Sequence, residues 1–178
     1  MSVTDLSARV RAAIRDVPDF PKPGILFRDI TTVLKDGGLY ADLCQWFAGL
    51  AAQCGAKCVG GIESRGFLFA APVAATLRIP LVLVRKPGKL PYRTRKWSYS
   101  LEYGSDSVEM HEDSFEPGAR VMLIDDLLAT GGTMSAACSL VRELSGEVVR
   151  VAFAIELKAL DGRSRLPPGV PVDTLVVY

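Results

Sequence analysis

The chain has 178 residues, 49% of them hydrophobic, which suits one compact domain with a full core. Acids and bases nearly cancel at a net charge of +1, so global charge gives no argument for nucleic acid or an anionic membrane as partner. Cys44, Cys54, Cys58 and Cys138 make no Cys-x-x-Cys pair and His111 is the lone histidine, which leaves no zinc-ligand spacing. No apolar run reaches the ~18 residues of a membrane span. The N-terminal stretch MSVTDLSARVRAAIRDVPDF has no apolar core before a cleavage site, so no secretory signal is expected. These features predict a cytoplasmic protein in a reducing compartment, with its cysteines as small buried hydrophobes.

In chain order, Val10, Ala13, Ile14 and Val17 recur at helical spacing, predicting a helix over 4–16 that Pro18 ends. The proline-rich PDFPKPGILFRDI (18–30) is read as an ordered loop or short strand. Leu39, Leu43, Trp46, Phe47 and Leu50 mark one face of a helix over 39–53. Short apolar runs then alternate with helical stretches. Strands are expected at 58–62, 81–85, 119–125 and 148–157, helices at 66–77 and 133–144, and VDTLVVY (172–178) closes the chain. This order predicts an α/β fold, a central parallel sheet flanked by helices. Residues 86–118 are polar, charged and too long for an ordinary connection, the mark of a functional or mobile insertion.

The stretch VMLIDDLLATGGTMSAA (121–137) carries the densest signal. In open parallel sheets, ligands sit outside the carboxyl ends of the strands, where Asp125 and Asp126 fall. Ala129, Thr130, Gly131, Gly132 and Thr133 then lead into a helix N-terminus, whose unpaired N–H groups and positive dipole end favour a phosphate. Glycines let backbone close on the anion, and the threonines add hydroxyl donors. The two acids suit ribose hydroxyls, or Mg²⁺ held partly through water. Together these form a ribose 5-phosphate cradle; the competing reading is a solvated strand end followed by a plain turn. No Gly-Lys-Ser/Thr follows, as a P-loop needs, and Gly-x-Gly-x-x-Gly is missing.

VMLIDDLLATGGT resembles the phosphoribosyl pyrophosphate (PRPP) motif of the type I phosphoribosyltransferases. DFPKPGILFRDIT, ESRGFLFAAPVA, RKPGKLP and SLEYGSD stand in the order and spacing typical of the adenine-specific branch of that family. The resemblance covers residues 18 to about 160. It implies transfer of phosphoribose from PRPP to adenine with Mg²⁺, releasing AMP and pyrophosphate in purine salvage. It also implies a single domain over 1–178, with an N-terminal helix and purine-covering hood (1–35) and a mobile flap (86–116). Family members are usually homodimers; nucleic acid and membrane are not implied as partners.

Other motifs take roles from the same resemblance. The loop Glu63-Ser64-Arg65, with an expected cis peptide at Glu63–Ser64, cradles pyrophosphate, which suits the planar donor fork of a guanidinium. The alternative for Arg65 is a surface salt bridge. RKPGKLPYRTRK (85–96) has no acid, and read alone it is a solvated basic loop or, with Tyr92 and Trp97, a nucleic-acid contact. Its position after a strand favours Arg85, Lys86 and Lys89 as pyrophosphate ligands or steering charges. Glu102 is the expected general base or acid on the flap, with Tyr103 beside it; the alternative is a Glu102 ion pair with a flap cation. Leu26, Phe27, Arg28 and Leu157 are expected at adenine, against simple core packing for Phe27 and Leu157. Rivals to this reading are a 6-oxopurine transferase and a non-enzymatic sensor of PRPP or purine. Asp161 and Arg163, in ALDGRSRL, read as a turn, and His111 as a surface or flap residue.

Overall fold

The computed structural model describes residues 2–100 and 105–178. The chain divides into two compact units, residues 1–46 and 47–178.

In the first unit, helix α1 (Val3–Ala13) starts at Ser2, whose side chain accepts from Asp5 N–H, and buries Leu6 and Val10. It ends earlier than the periodicity predicts. Ile14 turns extended, and β1 (Arg15–Pro18) pairs antiparallel with β2 (Leu26–Asp29). The reason is a tertiary tie: Arg15 donates to the Asp29 carboxylate at 2.5 Å, and Asp29 also accepts from Thr31 N–H and hydroxyl. The turn is closed by Asp19, at φ 58°, accepting from Gly24 N–H. Two further helices follow, α2 (Thr31–Lys35) and α3 (Gly37–Gln53), the latter running on into the second unit.

The second unit is built on five parallel strands in the order β4-β3-β7-β8-β9. They are β3 (Cys58–Ile62), β4 (Leu81–Val84), β7 (Arg120–Leu128), β8 (Glu147–Glu156) and β9 (Val172–Val177). Parallel neighbours need crossovers, supplied by α4 (Gly66–Leu77) between β3 and β4 and α5 (Gly132–Glu143) between β7 and β8. The chain winds outward from β3 to β4, then returns to the other side of β3 and winds the opposite way. The reversal opens a crevice at the carboxyl ends of β3 and β7, the topological switch point.

The strand expected at 119–125 continues to Leu128. Asp125 pairs with Phe153, Leu127 with Ile155 and Leu128 with Glu156, so Asp125 and Asp126 stand within the last turn of ladder rather than beyond it. The long insertion is only partly the polar excursion its composition suggests. β5 (Thr94–Ser100) and β6 (Ser105–His111) form an antiparallel ribbon. Val108 and Met110 are buried in the main core with Met134, Ala137 and Val141 of α5. The alternation in SVEMH carried that signal. Glu109, on the other face, accepts from Lys89 and Leu90 N–H and so anchors the basic loop after β4.

Candidate active site

Three loops meet at the switch point. After β3, Glu63 and Ser64 are joined by a cis peptide, as the resemblance implies, and α4 starts at Gly66. A side chain at Gly66 would lie 2.7 Å from the Ile124 carbonyl oxygen, so only glycine lets α4 start this close to β7. That approach sets Arg65 beside the acids: its Nε donates to the Asp126 carboxylate at 2.5 Å. Asp126 is 5% exposed, so this ion pair is shielded on one side and open on the other. Asp125 accepts from Asp126 N–H at 2.9 Å. Burial, and then the neighbouring Asp126 carboxylate, push the Asp125 carboxyl well above the usual range.

The basic loop after β4 folds onto Glu63. Its carboxylate accepts from Arg85 Nε at 3.2 Å and Lys86 N–H at 3.0 Å, and pairs with Lys89 Nζ. Burial works against its charge, but the bonds from Lys89, Lys86 and Arg85 outweigh burial and hold Glu63 below the usual carboxylate range. Lys86 Nζ reaches away from Glu63 to the Asp106 carboxylate and the Tyr99 hydroxyl.

The third loop is 129–133. Gly131 adopts φ 77°, and among the described residues no side-chain cap bond is made at the N-terminus of α5, where backbone N–H groups have no intrahelical partner. Residues 129–134 line a small pocket of about 80 Å³ with Asp125, Leu127, Leu128 and Phe153. A second cleft of about 250 Å³ is lined by Glu63, Ser64, Arg65, Lys86, Asp125, Asp126 and Thr133. Asp125, Leu127 and Thr133 belong to both. The arrangement is a backbone anion cradle opening on paired carboxylates, with cations on the far wall.

A family model, the phosphoribosyl transferase domain, matches residues 47–168. The chain belongs to the phosphoribosyltransferase family. Among relatives, it is 54% identical over 158 residues to the adenine phosphoribosyltransferase of Acidobacterium capsulatum, covering 89% of this chain and 87% of that one. The crystal structure of adenine phosphoribosyltransferase from Rhodothermus marinus superposes with a TM-score of 0.92 at 48% identity, covering 98% of this chain and 99% of that one. The Saccharomyces cerevisiae adenine phosphoribosyltransferase, complexed with D-2,5-dideoxy-2,5-imino-altritol 1,6-bisphosphate and adenine, gives a TM-score of 0.91 at 36% identity, covering 96% and 98%. The fold is that of the type I phosphoribosyltransferases.

Within this phosphoribosyltransferase, Glu63, Ser64, Arg65, Lys86, Asp125, Asp126 and Thr133 line one cleft, and Ala129, Thr130, Gly131 and Gly132 line the adjoining pocket. Arg85 and Lys89 join through Glu63. Leu157 follows β8 at the same sheet edge, its N–H bonded to the Leu128 carbonyl. Leu26, Phe27 and Arg28 lie on β2 in the first unit, where Phe27 meets Phe20 edge-on at 5.2 Å and Arg28 pairs with Asp16. Glu102 and Tyr103 lie outside the described residues.

Sequence reasoning missed three contributors. Tyr99 donates or accepts at Thr133 Oγ1 (2.9 Å) and bonds Asp106 (3.0 Å). Gly162 backs the 129–133 loop: a side chain there would lie 2.2 Å from the Ala129 carbonyl oxygen, and one on Gly131 would lie 2.2 Å from the Gly162 oxygen. Arg163 forks onto the buried Glu156 at 2.8 and 2.8 Å, which holds that turn in place. Asp161-Gly162-Arg163 is therefore more than a turn. Nothing in its spacing ties it to residues 129–131; only the fold does.

Proposed function

We propose that the protein transfers phosphoribose from PRPP to adenine, forming AMP and pyrophosphate. The observation that carries this reading is the uncapped N-terminus of α5, entered through Gly131, beside the Asp125–Asp126 pair. It is supported by relatives that share about half of its residues and are named adenine phosphoribosyltransferases.

Residues 129–133 hold the 5-phosphate through backbone N–H groups and the Thr130 and Thr133 hydroxyls. Asp125 and Asp126 take the ribose hydroxyls. Their hard oxygen donors also fit Mg²⁺, and among the described residues no cluster of three or more His, Cys, Asp or Glu is placed to hold a metal. An ion at Asp125 and Asp126 would therefore share its shell with substrate oxygens or water; when bound it supplies charge to offset the leaving pyrophosphate. Glu63, Ser64, Arg65, Arg85, Lys86 and Lys89 form the pyrophosphate side. These cations are paired with internal acids: Arg65 with Asp126, Arg85 and Lys89 with Glu63, Lys86 with Asp106. Substrate binding is thus an exchange of ion partners, which favours an anion as highly charged as PRPP over a neutral sugar. Glu63 acts through the bonds that order the basic loop.

Purine recognition is assigned, by the resemblance, to Leu26, Phe27, Arg28 and Leu157, with Phe27 offering a ring face. In the transfer, the N9 lone pair of adenine bonds to ribose C1 as the C1–O bond to pyrophosphate breaks, and the N9 proton leaves to Glu102. The resemblance assigns Tyr103, the next residue in sequence, to the same flap, whose role is to exclude water from the electron-poor sugar. Positioning and electrostatics carry the rate, with no covalent nucleophile.

We also infer a homodimer, supported by Leu81 and Leu83 exposed along the outer strand β4, and a cytoplasmic location, supported by four unpaired cysteines. Light scattering of the purified chain gives a mass near 38 kDa (twice 19.2 kDa) if the dimer is right and near 19.2 kDa if it is not. Among the described residues no helix is long and apolar enough to cross a membrane. The deciding experiment incubates the protein with PRPP, Mg²⁺ and, separately, labelled adenine, hypoxanthine and xanthine. AMP from adenine supports the reading; turnover of hypoxanthine or xanthine alone, or binding without turnover, overturns it.

A further inference from the structure

Lys86 stands at a choice point. Its main-chain N–H is fixed by Glu63 at 3.0 Å, while its side chain both lines the cleft and pairs with Asp106 of β6. Asp106 is not a stray surface acid. Its carboxylate also takes the Tyr99 hydroxyl at 3.0 Å and Ser107 N–H at 2.7 Å. The Tyr99 hydroxyl lies 2.9 Å from Thr133 Oγ1 and 3.4 Å from Lys86 Nζ, and its ring is braced against Gly132, where a side chain would meet Tyr99 Cδ2 at 3.0 Å. One small network therefore ties the insertion ribbon to the phosphate loop on one side and to the basic loop on the other. Burial pulls hardest against both charges, yet the Lys86–Asp106 bond together with the bonds from Tyr99 and Ser107 N–H outweighs it, raising the lysine and lowering the acid.

We propose that Asp106, held in place by Tyr99, is a positioning residue that competes with the pyrophosphate group for Lys86 and so sets how tightly pyrophosphate is held. The inference rests on the reading of Lys86 as a pyrophosphate ligand. The side chains of Lys86 and Asp106 are 37% and 34% exposed, so the pair is weak enough to exchange for a polyanion. A cation kept charged and aimed by an internal acid is available for substrate, yet it is drawn back when the product leaves. Loss of Asp106 removes that return partner.

The test uses the full chain with Asp106→Asn and Asp106→Ala, so that it does not depend on the folding of one variant, each also combined with Lys86→Ala. Calorimetric titration with inorganic pyrophosphate in magnesium buffer is the readout, beside KM and kcat with PRPP. Either Asp106 variant should bind pyrophosphate about fivefold more tightly than the wild type. It should show a lower KM for PRPP with a lower kcat, and Asp106→Glu should restore the parent values. In the Lys86→Ala background the gain should vanish. Unchanged affinity in both Asp106 variants, with wild-type pyrophosphate binding intact, overturns the proposal alone. An equal gain with and without Lys86 also overturns it, since the effect is then that of a removed negative charge. If Lys86→Ala by itself leaves pyrophosphate affinity unchanged, the assigned role of Lys86 falls, and this inference with it.

Discussion

A methyl group on Gly162 isolates the support behind the proposed phosphate loop, residues 129–133, from the loop itself. Gly162 is two residues from Leu160 in a turn that, in this reading, touches no substrate. Its added Cβ would lie 2.2 Å from the Ala129 carbonyl oxygen and 2.9 Å from Leu128 Cδ1. Ordinary contact starts near 3.4 Å, so the 129–131 backbone must retreat by on the order of 1 Å; the carbonyl, unlike a side-chain tip, has no rotamer to escape into. Overpacking of this kind costs about 1–3 kcal/mol. For a chain of this size that is a fall of roughly 2–12 °C in Tm. The larger effect falls on function, because a misplacement of about 1 Å in a positioning loop can cost ~100-fold in rate. Gly162→Ala is therefore expected to lose roughly 100-fold in kcat/KM for PRPP with a modest loss of stability. Gly146→Ala is the control. Its Cβ would press the Phe115 ring at 2.7 Å, among residues outside both pockets, so it should lower Tm and spare kcat/KM. Steady-state kinetics and circular dichroism melts of both variants decide the matter. A Gly162→Ala protein with wild-type kcat/KM, or equal kinetic losses in the two variants, refutes the reasoning.

Arg163→Ala removes the fork that neutralises Glu156, which is 5% exposed and keeps only the Thr174 hydroxyl at 2.8 Å. About 1–3 kcal/mol of stability should be lost in urea unfolding, with weaker ribose 5-phosphate binding as the turn loosens; an unchanged midpoint would contradict this. Replacing Asp125 and Asp126 together with alanine should weaken ribose 5-phosphate by about 30-fold or more by calorimetry, and wild-type affinity in a folded variant would remove the basis of the assigned site. Asp29 supplies a pH test. The bond from Arg15, then those from Thr31, lower its pKa from 3.8 to about 2. The folded chain thus binds this proton less readily than the unfolded chain. Its stabilisation is full above the unfolded value of 3.8 and disappears as pH falls through about 2. Arg15→Ala should flatten the loss of stability across that window, and parallel acid titrations of the two proteins would show otherwise.

Much of this could be read from order and spacing alone. The strand runs CVGGI and VMLI, the helix over 66–77, and the acids leading into TGGT are local patterns, governed by periodicity and backbone freedom. Short-range chemistry is enough to specify them, and they imply the sheet, its ligand edge and the anion cradle. What the pattern could not contain is pairing at a distance. Arg65 meets Asp126 across 61 residues, Lys86 reaches along the cleft wall to Asp106, and Gly162 presses on Ala129. Helical periodicity carried α1 too far because it is blind to the Arg15–Asp29 tie that draws the next residues into a strand. Chemical type fixes what a side chain can do, but which charge answers which is decided only when the winding of the chain reverses at β3 and brings separate loops to one edge.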